Sequence, residues 1–149
     1  MNSNFRQIRP ATYRDAPAIK LLMEGFDCSP SLSILIHQLE MSFGQRDHQV
    51  FVYETKKEVV GFTVINFLPQ LASEQQMVLI SALSVDEIAK EHGIDKVLEE
   101  YVTEEARKRN CARVLALCSA CRAPADRFYQ QQGYREYPEY FIKNLVYEK

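Results

Sequence analysis

Apolar positions in this chain recur first at helical spacing and then at strand spacing. After a short strand candidate at Phe5 to Ile8, the residues Ile19, Leu22, Met23 and Phe26 fall three or four apart and predict a helix. Thr12 stands where it can cap that helix, with Asp15 three residues on to return the bond. "DCSPS" breaks the run, and Ser29 followed by Pro30 offers a second helix start, because proline suits a first turn. Leu32, Leu35, Ile36, Leu39 and Phe43 form the next apolar stripe.

The period then changes. "QVFVYE" and "VVGFTVINF" are β-branched and aromatic runs joined by the polar "TKK", which reads as a hairpin. "MVLISALSV", Met77 to Val85, predicts a third long strand. Ile94, Val97, Leu98, Tyr101, Val102 and Ala106 mark one face of a helix running to about Asn110. "ARVLAL" is a strand, and "PADRFYQQQG" a short helix with Pro124 near its start and Gly133 at its end. Two closing strands are expected around Tyr134 to Tyr137 and Tyr140 to Val146. This order predicts an α/β (α+β) fold, a mixed sheet of about seven strands with about four helices on both faces. The helix from 94 to 110 lies between two strands; if these are neighbours they run parallel, with a right-handed crossover.

Composition narrows the class. At 149 residues the chain has the size of one domain, and 46% hydrophobic with 26% charged residues is ordinary for a globular protein. The formal net charge of -2 argues against a nucleic-acid binder that relies on broad charge attraction. No signal peptide, anchor or membrane-length apolar stretch is seen, so a cytoplasmic protein is expected. Of the four cysteines, Cys118 and Cys121 have C-x-x-C spacing. Zinc needs more ligands than that pair, and no second pair or close histidine pair accompanies it, so no metal is expected.

The element order, together with the stretch Arg122 to Leu145, resembles the GNAT family of acyl-CoA-dependent N-acetyltransferases. Ala125, Phe128, Tyr129, Gly133 and Tyr134 stand at the family's spacing. The Arg-x-x-Ala-x-Arg-Phe-Tyr version, with Arg122 and Arg127, looks like the branch that acetylates small amines, aminoalkylphosphonate acetyltransferases among them. The resemblance implies a mostly antiparallel, twisted sheet and acetyl-CoA as cosubstrate. It also implies a primary amine of a small molecule as acceptor, attacking directly in a ternary complex. The cofactor's pantetheine arm and acetyl carbonyl would meet backbone groups of the strand at Leu83, Ser84 and Val85. Its pyrophosphate would lie on the loop Lys90, Glu91, His92, Gly93, Ile94, Asp95 and Lys96, with Arg122 nearby.

The physical logic of that loop is the helix N-terminus. Its first amides lack partners, and the helix dipole adds partial positive charge. Asp95 stands where the family has glycine or alanine, and it adds bulk and negative charge. Two unit charges about 5 Å apart interact by roughly 3 kcal/mol at an effective dielectric of about 20 and by less than about 1 kcal/mol in water. The stretch thus reads as a weakened cofactor loop, as a loop that has lost the cofactor, or as a plain helix start with Asp95 in its first turn.

Tyr129 matches the family's acid, which returns a proton to the departing thiolate, and its simpler role is a packed aromatic. Many members carry a glutamate near Ser81; serine is a poor base but can hold a water. Glu74, Asp27 and Glu40 are further carboxylates that the sequence does not place. His37 and His48 read as structural or surface residues. Tyr137, Tyr140 and Phe141 offer an acceptor pocket or a homodimer contact, with edge packing as the simpler role. The alternative function is a catalytically impaired GNAT-like binding or regulatory module that has lost normal acetyl-CoA binding.

Overall fold

A computed structural model describes residues 3–24, 30–117, 123–136 and 141–146. Five strands, β1 (Ile8–Pro10), β2 (His48–Thr55), β3 (Glu58–Leu68), β4 (Met77–Val85) and β5 (Arg113–Ala116), lie side by side in chain order. The first four are antiparallel, and β5 joins β4 in parallel, as the helical crossover requires. Five α-helices complete the described chain: α1 (Ala16–Leu22), α2 (Leu32–Ser42), α3 (Glu87–Glu91), α4 (Ile94–Lys108) and α5 (Ala123–Gln131).

Alternation along the strands sends two apolar sets to opposite faces. Phe51, Ile65, Phe67, Val78 and Ile80 pack with Leu98, Val102 and Ala106 of α4 and with Tyr129 of α5. The other face buries Val52 and Phe62 against Ala16 and Ile19 of α1 and Leu35 and Leu39 of α2. Leu98, Val102 and Ala106 are one helical turn apart, so a single stripe of α4 covers the sheet.

Local chemistry sets several boundaries. Thr12 and Asp15 form the expected capping box, although the first turn they cap is a 3-10 helix, Tyr13–Asp15, that runs into α1. The β2–β3 turn is the residue pair Lys56 and Lys57, both at positive φ (50° and 64°), the conformation of a type I′ hairpin. Gly133, at φ 95°, ends α5, and the Tyr134 amide reaches back 3.0 Å to the Tyr129 carbonyl.

Four expectations shift. Phe5 lies in a 3-10 helix (Ser3–Gln7), where its ring meets Tyr101 edge-on at 5.4 Å, and the strand begins only at Ile8. The second helix starts after Ser31, whose hydroxyl accepts the Ile34 amide at 3.3 Å; Ser29 lies outside the described residues. A short helix, α3, fills the segment read as loop, capped by Asp86 through the Ala89 amide at 2.7 Å. Residues 134–136 and 141–146 form no strand, so the described sheet has five strands rather than about seven. The C-terminal cap of α5 takes the Tyr134 amide, and alternation alone supplies no neighbouring strand for Phe141, Ile142, Leu145 and Val146, which are exposed.

Candidate active site

Strand β4 is the centre of the site. Opposite it on β3 a register shift falls between Val64 and Ile65, whose partners are Ala82 and Ile80. Ser81 is therefore the extra residue of a β-bulge, a device that re-aims side chains. Pairing with β5 stops at the same place: Ile80 faces Ala116, and the Leu117 amide closes on the Ile80 carbonyl at 3.0 Å. Beyond it, Ser81–Val85 have no described neighbour on that side.

Strand alternation tells which backbone groups face this gap. The Asp86 amide donates to Val60 at 2.9 Å, so the bonded pairs with β3 continue at Ser84–Phe62 and Ala82–Val64. The N–H and C=O groups of Leu83 and Val85 turn the other way, towards the gap. Ser84 is different: its backbone is directed to β3, and its buried hydroxyl donates 3.0 Å to the Leu22 carbonyl, tying α1 to the sheet.

The chain leaves β4 through α3, turns at Gly93 (φ 72°) and enters α4. A Cβ at Gly93 would touch nothing within 4 Å, so glycine is there for its left-handed backbone and not for space. The Val97 amide bonds the Gly93 carbonyl, and the Lys96 amide is taken at 2.8 Å by the Asp95 carboxylate. Gly93, the N-cap, offers no side chain to the amides of this first turn. A cavity of about 590 Å³ opens here, lined by Lys90, Gly93, Asp95 and Lys96 on one side and by Arg127, Phe128 and Gln131 of α5, with Gln132 just after it, on the other. Three cationic side chains thus face one carboxylate. Glu91 and His92 are exposed outside this lining, and Ile94 packs against the α4-face core.

The α5 contribution was only half legible in the sequence. Arg127 and Phe128 belong to the motif, but nothing in the spacing set them, with Gln131 and Gln132, across from the loop at Lys90. Arg122 lies outside the described residues, as do Asp27, Tyr137, Tyr140, Cys118 and Cys121.

Tyr129 is buried at 7% exposure, its ring 5.2 Å from those of both Phe128 and Tyr134. Beside it is a polar cluster that the sequence gave no sign of. The Tyr134 hydroxyl donates 3.0 Å to Glu99 Oε2, which also accepts the Thr103 hydroxyl at 2.7 Å. Burial, and then the Glu99 charge, push the Tyr134 phenol well above its ordinary range, so it stays a proton donor.

On the opposite face, Ser81 is not isolated. Asn66 of β3 donates 2.6 Å to its hydroxyl oxygen and in turn meets Nδ1 of His48 on β2 at 2.6 Å. His48, read from sequence as structural or surface, stands at the end of this row. Glu40, Glu74 and His37 are exposed. No group of three or more metal-ligating side chains is found among the described residues, nor is any helix there long and apolar enough to cross a membrane.

A splayed strand, a glycine-led helix N-terminus facing α5 and the Phe128–Tyr129 pair are thus parts of one arrangement. A model of the acetyltransferase (GNAT) family matches residues 13–134. The chain belongs to the GNAT family.

Solved structures agree on the fold of this GNAT protein. A transcriptional regulator from Bacillus halodurans C-125 superposes with a TM-score of 0.81 at 21% identity, covering 93% of this chain and 98% of that one. A ribosomal-protein-alanine N-acetyltransferase from Brucella melitensis biovar Abortus 2308 gives 0.72 at 20% identity, over 92% and 98%. An aminoglycoside acetyltransferase from an uncultured soil metagenomic sample, solved with sisomicin, gives 0.70 at 21%, over 93% and 95%. At these identities the likeness is one of fold. No curated protein matches the chain.

Proposed function

We propose that this GNAT protein transfers an acetyl group from acetyl-CoA to a primary amine of a small molecule, by direct attack in a ternary complex. Its motif around Arg127–Tyr129 looks like that of the small-amine branch. Acetyl-CoA supplies an acetyl thioester open to attack by an amine.

The chain's residues suit that cosubstrate. Backbone groups of Leu83 and Val85 face the gap beside β4 and can pair with an extended amide-bearing arm. The N-terminal turn of α4, with Lys90, Lys96 and Arg127 around the same cavity, suits a diphosphate. Tyr129 holds the acid's proton, and Ser81 meets the amine or a water. The observation that carries the proposal is this meeting of an open β4 edge with a cationic helix N-terminus.

A second reading, an impaired binding or regulatory module, has one observation in its favour. Asp95 already accepts the Lys96 amide and brings negative charge to the same cavity. Titrating the protein and an Asp95→Gly variant with acetyl-CoA by calorimetry separates the two. We expect micromolar binding by the natural chain and a roughly tenfold gain in the variant, from a charge term of about 1.4 kcal/mol, between the limits for water and for a partly buried site. Binding only by the variant supports the impaired module, and binding by neither ends both assignments of the loop.

A further inference from the structure

We infer that His48, Asn66 and Ser81 form an uncharged seat for the acceptor amine, which selects amines present as the free base. This rests on the acetyl-transfer proposal above. The three side chains come from three adjacent strands and form an unbroken hydrogen-bonded row, with both contacts at 2.6 Å. All are half-buried, so the row is fixed by packing yet open to solvent. It ends on the bulge residue Ser81, beside the last paired residue before the β4–β5 gap. Leu83, whose backbone faces that gap, is two residues on, about 7 Å along a strand.

The row fixes a direction. His48 donates its Nδ1–H to Asn66 Oδ1, which turns the Asn66 amide nitrogen to Ser81. Ser81 Oγ accepts that bond and keeps one lone pair and its own hydrogen for a ligand. An amine N–H can donate to the lone pair, leaving the nitrogen's own lone pair free to attack. His48 and Asn66 are therefore positioning residues for Ser81. As the new N–C bond forms and the C–S bond breaks, the nitrogen's surplus proton passes to Ser81 Oγ, which releases its own to water. The departing thiolate takes its proton from Tyr129, which regains one from water.

Nothing in the row carries a fixed negative charge. No carboxylate is hydrogen-bonded to any of the three side chains. Of the charged groups described on the elements packed around them, Lys20 donates to the Pro30 carbonyl, Asp47 pairs with Arg109, Glu54 pairs with Arg9, and Glu24, His37, Glu40, Arg46, Glu58 and Glu74 are exposed. Among the described residues, an ammonium ion gains no counter-charge from this row, and it has no lone pair for attack. An α-amino group, with a pKa of about 7.8, is about one-third free base at about pH 7.5; a lysine-type amine, near 10.4, is about one part in a thousand.

The test offers acetyl-CoA with triglycine or with Nα-acetyl-lysine amide as acceptor, alongside calorimetric titration with acetyl-CoA. We expect kcat/KM for triglycine to exceed that for the lysine amide by about 100-fold at about pH 7.5. The triglycine rate should level off above about pH 8, while the lysine-amide rate keeps rising. Ser81→Ala and Asn66→Ala should lower the triglycine rate about tenfold or more, with the KM for acetyl-CoA unchanged. His48→Gln, which keeps a donor, should retain more activity than His48→Ala. Equal rates for the two amines, a preference for lysine amide, or acetyl-CoA binding with neither amine accepted overturns the seat. Full activity in Ser81→Ala and Asn66→Ala does so as well. If acetyl-CoA does not bind at all, the acetyl-transfer proposal fails first and the seat falls with it. Should a variant fail to fold, the natural protein's preference between the two amines decides.

Discussion

Asp15 shows how one residue can hold two duties. Its carboxylate closes the Thr12 capping box at 2.8 Å and accepts a two-pronged bond from Arg9 at 2.8 and 2.9 Å. Burial pushes its acidity weaker, but Arg9 and the Thr12 amide outweigh that and hold the carboxyl below its ordinary value. A depressed carboxylate contributes stability that is present above its unfolded pKa and lost as pH falls through the folded one. Asp15→Asn should therefore cost about 2 kcal/mol in urea unfolding at neutral pH, and the difference should shrink below about pH 4. Tyr129 is the residue-scale test of chemistry. Tyr129→Phe keeps the ring that packs between Phe128 and Tyr134 and removes only the hydroxyl. Turnover should fall about 100-fold, with acetyl-CoA affinity nearly unchanged by calorimetry; equal turnover removes the acid role. The motif made Tyr129 legible in the sequence. The Glu99–Tyr134–Thr103 cluster was not, because its partners lie 35 residues apart on surfaces that only packing brings together.

At the scale of elements, the β2–β3 hairpin places two lysines in a left-handed turn that asparagine and glycine occupy more readily. Replacing Lys56 and Lys57 by Asn and Gly should stabilise the protein by about 1–2 kcal/mol, read as a higher denaturation midpoint with an unchanged slope. Within β3, Gly61 faces Val85, and a Cβ there would come within 2.6 Å of the Val85 side chain. Gly61→Ala must therefore move the Val85 side chain and, with the Ser84 carbonyl 3.3 Å away, press on the strand whose backbone is proposed to hold the cosubstrate. We expect it to weaken acetyl-CoA binding by calorimetry, and an unchanged affinity removes Val85 from that role. Element types were legible wherever the period was long: the hairpin, β4 and α4 follow their patterns. Two short elements were not. Helix α3, with five residues, is too brief to show a period, and the first strand slid to Ile8 because Phe5 is drawn to Tyr101.

For the molecule as a whole, one sheet is shared by two cores. β3 and β4 are central, and Phe62, Ile65, Val78 and Ile80 along them are almost wholly buried. Native-state hydrogen exchange should find the slowest amides in these two strands and fast exchange in residues 141–146, where Phe141, Ile142, Leu145 and Val146 are exposed. The sequence alone determined the types of the long elements, the helices on two faces and the parallel crossover, because each follows from hydrophobic period and chain connectivity. It also marked Gly93 and Tyr129. The tertiary structure decided which residues meet: Arg127 and Phe128 across from Lys90 and Lys96, and His48 with Asn66 and Ser81. Such meetings depend on strand register and on a one-residue bulge, and periodicity along a single strand carries no information about its neighbour's register.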